Sequence, residues 1–128
     1  MGDLLAKGAD FVQRVRNAHM TRLVVYGRGG ESVEIAATVG RTVFRLEGSH
    51  GQVTRYISRD YLVAAADLVL DDERITPQRG DVIRETADDV TYVHEVMSPS
   101  SSEPDWRYSD PQRRTLRIHT KQIRQEAT

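Results

Sequence analysis

Apolar residues in the first 20 positions recur with a helical period. Leu4, Leu5, Phe11, Val12, Val15 and Ala18 form one stripe, and Lys7, Asp10, Arg14 and Asn17 fall opposite it. The pattern predicts an amphipathic helix over residues 1–20, with Asp3 as its N-cap. The stripe is narrow. It suits packing on the rest of the chain or docking on a partner chain, and both readings stay open.

After Met20 the period changes to two. Thr21 to Tyr26 reads as a strand, and Gly27, Gly29 and Gly30 mark a turn. Val33, Ile35, Ala37 and Val39 alternate with Glu34, Ala36 and Thr38, the cleanest strand signal in the chain. Gly40 punctuates it. Thr42, Phe44 and Leu46 then share one face, opposite Arg41, Val43 and Arg45. Gly48 and Gly51 bracket a second turn, and Val53 to Ile57 is a further strand. Tyr61 to Val63 suggests a short strand followed by a helical turn at Ala64 to Ala66, with Asp71 to Glu73 as a solvated loop. Asp81 to Ile83 and Thr91 to Met97 predict a hairpin turning at Asp88 and Asp89. Within it Val93 and Met97 share one face, and Tyr92, His94 and Val96 the other. Leu116, Ile118 and Thr120 mark a last strand, with fraying expected over residues 125–128.

Between these strands, Ser98 to Asp105 holds three consecutive serines and two prolines. It has too little apolar surface to order itself and is expected to be a mobile loop. Ser100, Ser101, Ser102 and Glu103 are its candidate gate residues. Trp106 and Tyr108 close it as anchors. The predicted architecture is mainly β: a helix over 1–20, then a small antiparallel β-barrel or sandwich of six to eight strands over 21–124.

Composition narrows the function classes. The 128 residues include 18 basic and 19 acidic side chains, for a net charge of −1. That balance excludes a mainly electrostatic nucleic-acid binder. There is no cysteine, so neither a disulfide nor a thiolate metal site can form. No apolar run approaches the length of a membrane span, and charged residues interrupt positions 1–20 too often for a secretory signal. His19, His50, His94 and His119 show no metal-ligand spacing. No nucleophile elbow is present, and Gly27-Arg28-Gly29-Gly30 lacks the Lys-Ser/Thr of a phosphate loop. The chain is expected to be neither an enzyme nor a cofactor carrier.

Charge is unevenly spread. Asp60 to Asp89 holds nine acids and three arginines, whereas Pro111 to Arg124 holds five basic residues and no acid. The two segments can neutralise each other inside one fold. They can instead meet across a boundary between copies, with Asp60, Asp67 and Asp81 facing Arg113, Arg114, Arg117 and Lys121. A third use of the basic strand is contact with nucleic acid.

Several strings carry a family likeness. Ser58-Arg59-Asp60-Tyr61-Leu62-Val63-Ala64-Ala65-Ala66-Asp67-Leu68, the turn-strand Pro77-Gln78-Arg79-Gly80-Asp81-Val82-Ile83, Trp106-Arg107-Tyr108-Ser109-Asp110-Pro111 and Arg114 to Lys121 resemble segments of head–tail connector proteins of tailed bacteriophages. The resemblance implies a head-closure, or stopper, protein: a small β-barrel that forms a homo-oligomeric ring in the virion neck, made in the host cytoplasm. The implied partners are the portal or adaptor protein, the tail terminator or tail tube, and packaged double-stranded DNA in the lumen, held without sequence specificity. Residues 98–105 would supply a loop projecting into that lumen, with 27–31 or 70–76 as alternatives. The N-terminal helix exceeds what a minimal barrel needs and leaves adaptor and tail-terminator roles open. A competing class is an OB-like module binding single strands, with Tyr56, Tyr61, Tyr92, Trp106 and Tyr108 as stacking residues.

Overall fold

A computed structural model describes residues 21–100 and 102–127 of the chain. The predicted N-terminal helix and Ser101 lie outside the described residues. Nine strands follow in order: β1 (Thr21–Arg28), β2 (Glu31–Glu47), β3 (Val53–Ala64), β4 (Val69–Leu70), β5 (Glu73–Arg74), β6 (Val82–Ala87), β7 (Val90–Val96), β8 (Trp106–Tyr108) and β9 (Thr115–Ala127). A single 3₁₀ turn, Ala65–Asp67, separates β3 from β4, where the alanine run favoured a helical turn.

Seven strands form one antiparallel sheet in the order β3-β2-β1-β6-β7-β9-β8. β9 also pairs with β3 from Ala64↔Thr115 to Arg59↔Thr120, so the ladder returns on itself. The inward positions of β1, β2, β3, β6 and β9 meet in one apolar cluster. Tyr26, Tyr61, Leu68, Ile83, Leu116 and Ile118 are its largest fully buried members. Each such aliphatic side chain contributes about 1.5–3 kcal/mol relative to exposure.

Turn chemistry explains the tight connections. Gly29, at φ 61°, supplies the left-handed residue of the two-residue β1–β2 turn. Asp71 and Asp72 both have positive φ, 52° and 63°, and join β4 to β5. The expected solvated loop is therefore a two-residue hairpin, because aspartate tolerates this backbone region better than most side chains. Asp88, at φ 56°, turns β6 into β7 where the hairpin was predicted.

Three other expectations are corrected. β2 runs unbroken through Gly40, and β3 is one strand where two short ones were expected, because the β2–β3 register continues from Ala37↔Val63 to Glu47↔Val53. The face assignment along β7 fails. A bulge shifts the β7–β9 ladder between Val93 and His94, with Ile123 as the extra residue, and Val93 and His94 are both buried. At residues 125–127 the ladder continues through Tyr92↔Gln125, Thr91↔Glu126 and Val90↔Ala127.

Hydrogen bonds link the described residues of the 98–105 segment. The Asp105 carboxylate accepts from the Ser98 N–H at 2.7 Å, and the Glu103 N–H donates to the Ser100 carbonyl at 3.2 Å. Both ends are pinned to one residue of β9: Met97 N–H donates to the His119 carbonyl at 3.0 Å, and His119 N–H donates to the Asp105 carbonyl at 2.9 Å.

Candidate functional site

Three buried carboxylates organise the polar side of the fold. Asp60 stands in mid-β3 directly across from His119 of β9 and has no exposed surface. Ser58 Oγ and Thr42 Oγ1 donate to it, the first at 2.5 Å, and Arg117 reaches it at 2.6 Å and His119 Nδ1 at 2.9 Å. Strand alternation puts Thr42, Ser58 and Asp60 on one face of the β2–β3 ribbon, opposite Tyr61 and Val63. The Phe44 ring packs edge-on against His119 at 5.1 Å and closes the group. Burial opposes ionisation of Asp60, but the hydrogen bonds from His119, Ser58, Thr42 and Arg117 outweigh it and hold the carboxyl at about 2.

Glu85 and Asp81 are built the same way. Tyr61 OH donates to Glu85 at 2.7 Å, Arg59 pairs with it at 2.7 Å, and Arg22 approaches to 3.3 Å. Burial again works against the charge, and the Tyr61 and Arg59 hydrogen bonds overcome it, so the Glu85 carboxyl lies below the usual range. His94 Nδ1 lies 3.1 Å from Tyr61 OH. Burial holds that imidazole below its ordinary range, and the Arg59 charge adds to the effect. Asp81 accepts from Tyr26 OH, from Arg28 through Nε at 3.0 Å and the NH2 nitrogen at 2.9 Å, and from the Gln78 N–H at 2.9 Å. Burial, then the bond to Asp81, pushes the Tyr26 hydroxyl above its normal range.

These contacts decide where the charge-bearing candidates fall. Asp60 and Arg117 meet within one chain, and Asp81 is taken by Arg28, so neutralisation inside the fold accounts for three of the seven. Asp67, Arg113, Arg114 and Lys121 are exposed. The Arg114 carbonyl accepts from Ala65 N–H at 2.8 Å, so Asp67 and the 113–114 turn share one end of the molecule. Arg113 lies over the Tyr108 ring, and Lys121 over Tyr56. Trp106 and Tyr108 are half-buried, meet edge-to-face at 5.2 Å, and pack against the apolar cluster. Ser100 and Ser102 hydrogen-bond to each other at 2.8 Å, and Glu103 is exposed. Tyr61 lies in the core, withdrawn from any stacking surface.

Sequence reasoning did not single out Glu85, Arg59, His119 and Arg28 as parts of these networks. Their partners lie 24 to 59 residues away, and only the polar pair Ser58 and Asp60 on one strand face hinted at a buried site. Among the described residues no cluster of His, Asp and Glu is arranged to hold a metal.

The model of the phage head–tail joining protein family matches residues 2–127. The chain belongs to that family. Head–tail joining proteins are structural components of the virion neck, as the connector-like strings of the sequence implied. The head–tail joining chain matches no curated protein and no solved structure. Among its described residues no helix is long and apolar enough to cross a membrane.

Proposed function

We propose that this head–tail joining chain is the head-closure, or stopper, subunit of the neck, a homo-oligomeric ring joining portal or adaptor to tail terminator or tail tube. The observation that carries the reading is the sheet itself. The β3–β9 pairing supports a small closed β-barrel, and an excursion at residues 98–105 leaves it from a single point on β9. In this reading the barrel forms the wall, and the excursion faces packaged double-stranded DNA without sequence recognition. Glu103 and Asp105 give the excursion a sign that repels a DNA backbone, which suits a gate that yields on release. The exposed charges Asp67, Arg113, Arg114 and Lys121 serve contacts with neighbouring proteins of the neck. Trp106 and Tyr108 anchor the base of the gate.

Fitting the chain into a neck reconstruction of purified particles tests the assignment. Density for a ring of this subunit below the portal or adaptor is expected, and absence of the protein from intact virions overturns the proposal. Deletion of Ser100 to Ser102 tests the gate, because it touches no strand. Heads carrying the deletion are expected to lose DNA before tail joining, whereas normal DNA retention and titre would reduce residues 98–105 to a connector.

A further inference from the structure

Among the described residues, one stretch of the sheet has no strand along its outer edges. β2 pairs with β1 only as far as Thr38, and β3 pairs with β9 only from Arg59 onward. Beyond those points, among the described residues, Val39–Glu47 and Val53–Ser58 have strand partners only in each other, as a two-stranded ribbon joined by the 48–52 turn. Two strands alone are marginal in water, and an unpaired strand edge invites a partner.

The outward face of this ribbon is unusual in its composition. Val43 and Ile57 are a directly facing pair, 52% and 56% exposed. On their distal side Arg45 faces Arg55. Like charges set directly opposite each other are unfavourable. Among the described residues neither arginine has an acidic partner within ion-pair distance. A surface of this kind fits a partner that is apolar in its centre and acidic beside it.

The same chain presents such a surface. On the outer side of the β1–β2 pair, Leu23 is 65% exposed and faces the exposed Ala36, while the exposed Glu34 stands two residues along β2. Glu34 also has no ion-pair partner among the described residues. The two patches lie on opposite faces of one strand. Exposed positions in the first half of β2 are even-numbered (Glu34, Ala36), and those in the second half are odd-numbered (Arg41, Val43, Arg45). A subunit that carries complementary patches on opposite faces cannot satisfy them within itself. It makes a head-to-tail contact, the kind that closes rings.

We infer that the β2–β3 ribbon is the arm by which one copy grips the next. Val43 and Ile57 pack on Leu23 and Ala36 of the neighbour, and Arg45 and Arg55 pair with its Glu34. The inference rests on the ring reading above and specifies its contact.

The absence of cysteine from the chain permits a clean test in assembled particles. A phage lacking the gene is complemented with Leu23→Cys, with Ile57→Cys, and with the double variant, and purified virions are oxidised. The double variant is expected to give a ladder of cross-linked multiples that neither single variant gives. Cross-linking by a single variant would mean a symmetric contact and overturn the inference. A double variant that enters virions and stays at the size of one subunit also overturns it and leaves the ring reading standing. Failure of unaltered protein to appear in virions overturns both.

Charge exchange gives an independent readout. Arg45→Glu with Arg55→Glu is expected to abolish plaque formation, and adding Glu34→Arg to restore it. Loss of packaged DNA that Glu34→Arg does not restore would assign the arginines to DNA instead.

Discussion

The two halves of β2 obey the same pleat and meet different fates. In the first half, Ile35 and Ala37 point into the core and Glu34 and Ala36 point out. In the second half, Phe44 is buried and Val43 is exposed. Both halves alternate. They differ in their neighbours: the first half lies against β1, whereas from Val39 onward β3 is the only strand beside β2 among the described residues. Alternation tells which residues share a face, and the neighbouring strands decide which face is covered. An exposed apolar pair beside facing arginines is tolerable on a ribbon that something else will cover, and out of place on a finished surface.

The joint between the two halves is the most sensitive point. Asp60 sits across from Gly40, where the parity of burial changes, and ties Thr42 of the ribbon to Arg117 and His119 of the body. Asp60→Ala leaves Arg117 without its counter-charge and His119 without its hydrogen-bond partner, and is expected to cost about 3–5 kcal/mol, read by urea unfolding. A loss near zero would mean that the ribbon and body are held together elsewhere.

Acid probes the same joint without mutation. The Asp60 carboxyl is held at about 2 against an ordinary 3.8. Its contribution is therefore complete above pH 4 and is lost as the pH falls through 2, a change of roughly 2 kcal/mol. His94, held below its ordinary value by burial, acts in the same direction at higher pH, because its neutral form is favoured in the fold and it must be protonated as pH drops below 6.5. Unfolding free energy measured from pH 7 to pH 2 should fall in these two windows, and in Asp60→Asn the lower one should shrink to the part carried by Glu85, whose carboxyl also lies below its usual range.

Trp106 tests the body alone. Its ring is half-buried, so Trp106→Ala should cost about 2 kcal/mol, below the range of a fully buried aromatic. Intrinsic emission should sit between the buried and exposed limits and turn bluer on assembly only if a neighbour covers it. The smallest expected effect has the opposite sign. Arg55→Glu removes a like-charge pair from the ribbon and is expected to stabilise the isolated subunit by about 0.2–1 kcal/mol while weakening assembly. A destabilised subunit would show that Arg45 and Arg55 are not in conflict.

Much of this arrangement was legible in the residues, and the unread parts have physical reasons. Glycines at 27, 29 and 30 and the aspartates at 88 and 89 located two hairpins, because turn backbones demand particular residues. β2 was visible from its alternation, but Gly40 looked like an interruption, since a glycine inside a strand removes a side chain without removing the backbone ladder. The second half of β9, residues 121–127, has nearly every side chain exposed. It carries no period, and its order rests on backbone pairing with β7. The ion pairs were illegible for a different reason. Asp60 and Arg117 are 57 positions apart, and nothing local to either residue names the other. Charge counting found the two segments, and only the register of β3 against β9 shows that part of their attraction is spent at home.

The pinning of both loop ends to His119 has a consequence for change over time. Met97 and Asp105 hydrogen-bond to the same residue of β9 from either end of the excursion. Residues 98–104 are therefore a detour whose entrance and exit are fixed by the sheet and whose length is not. Lengthening such a detour costs little, about 0.6 kcal/mol for each doubling, and shifts no strand register on either side. The length of this segment can therefore change while the sheet on either side stays as it is.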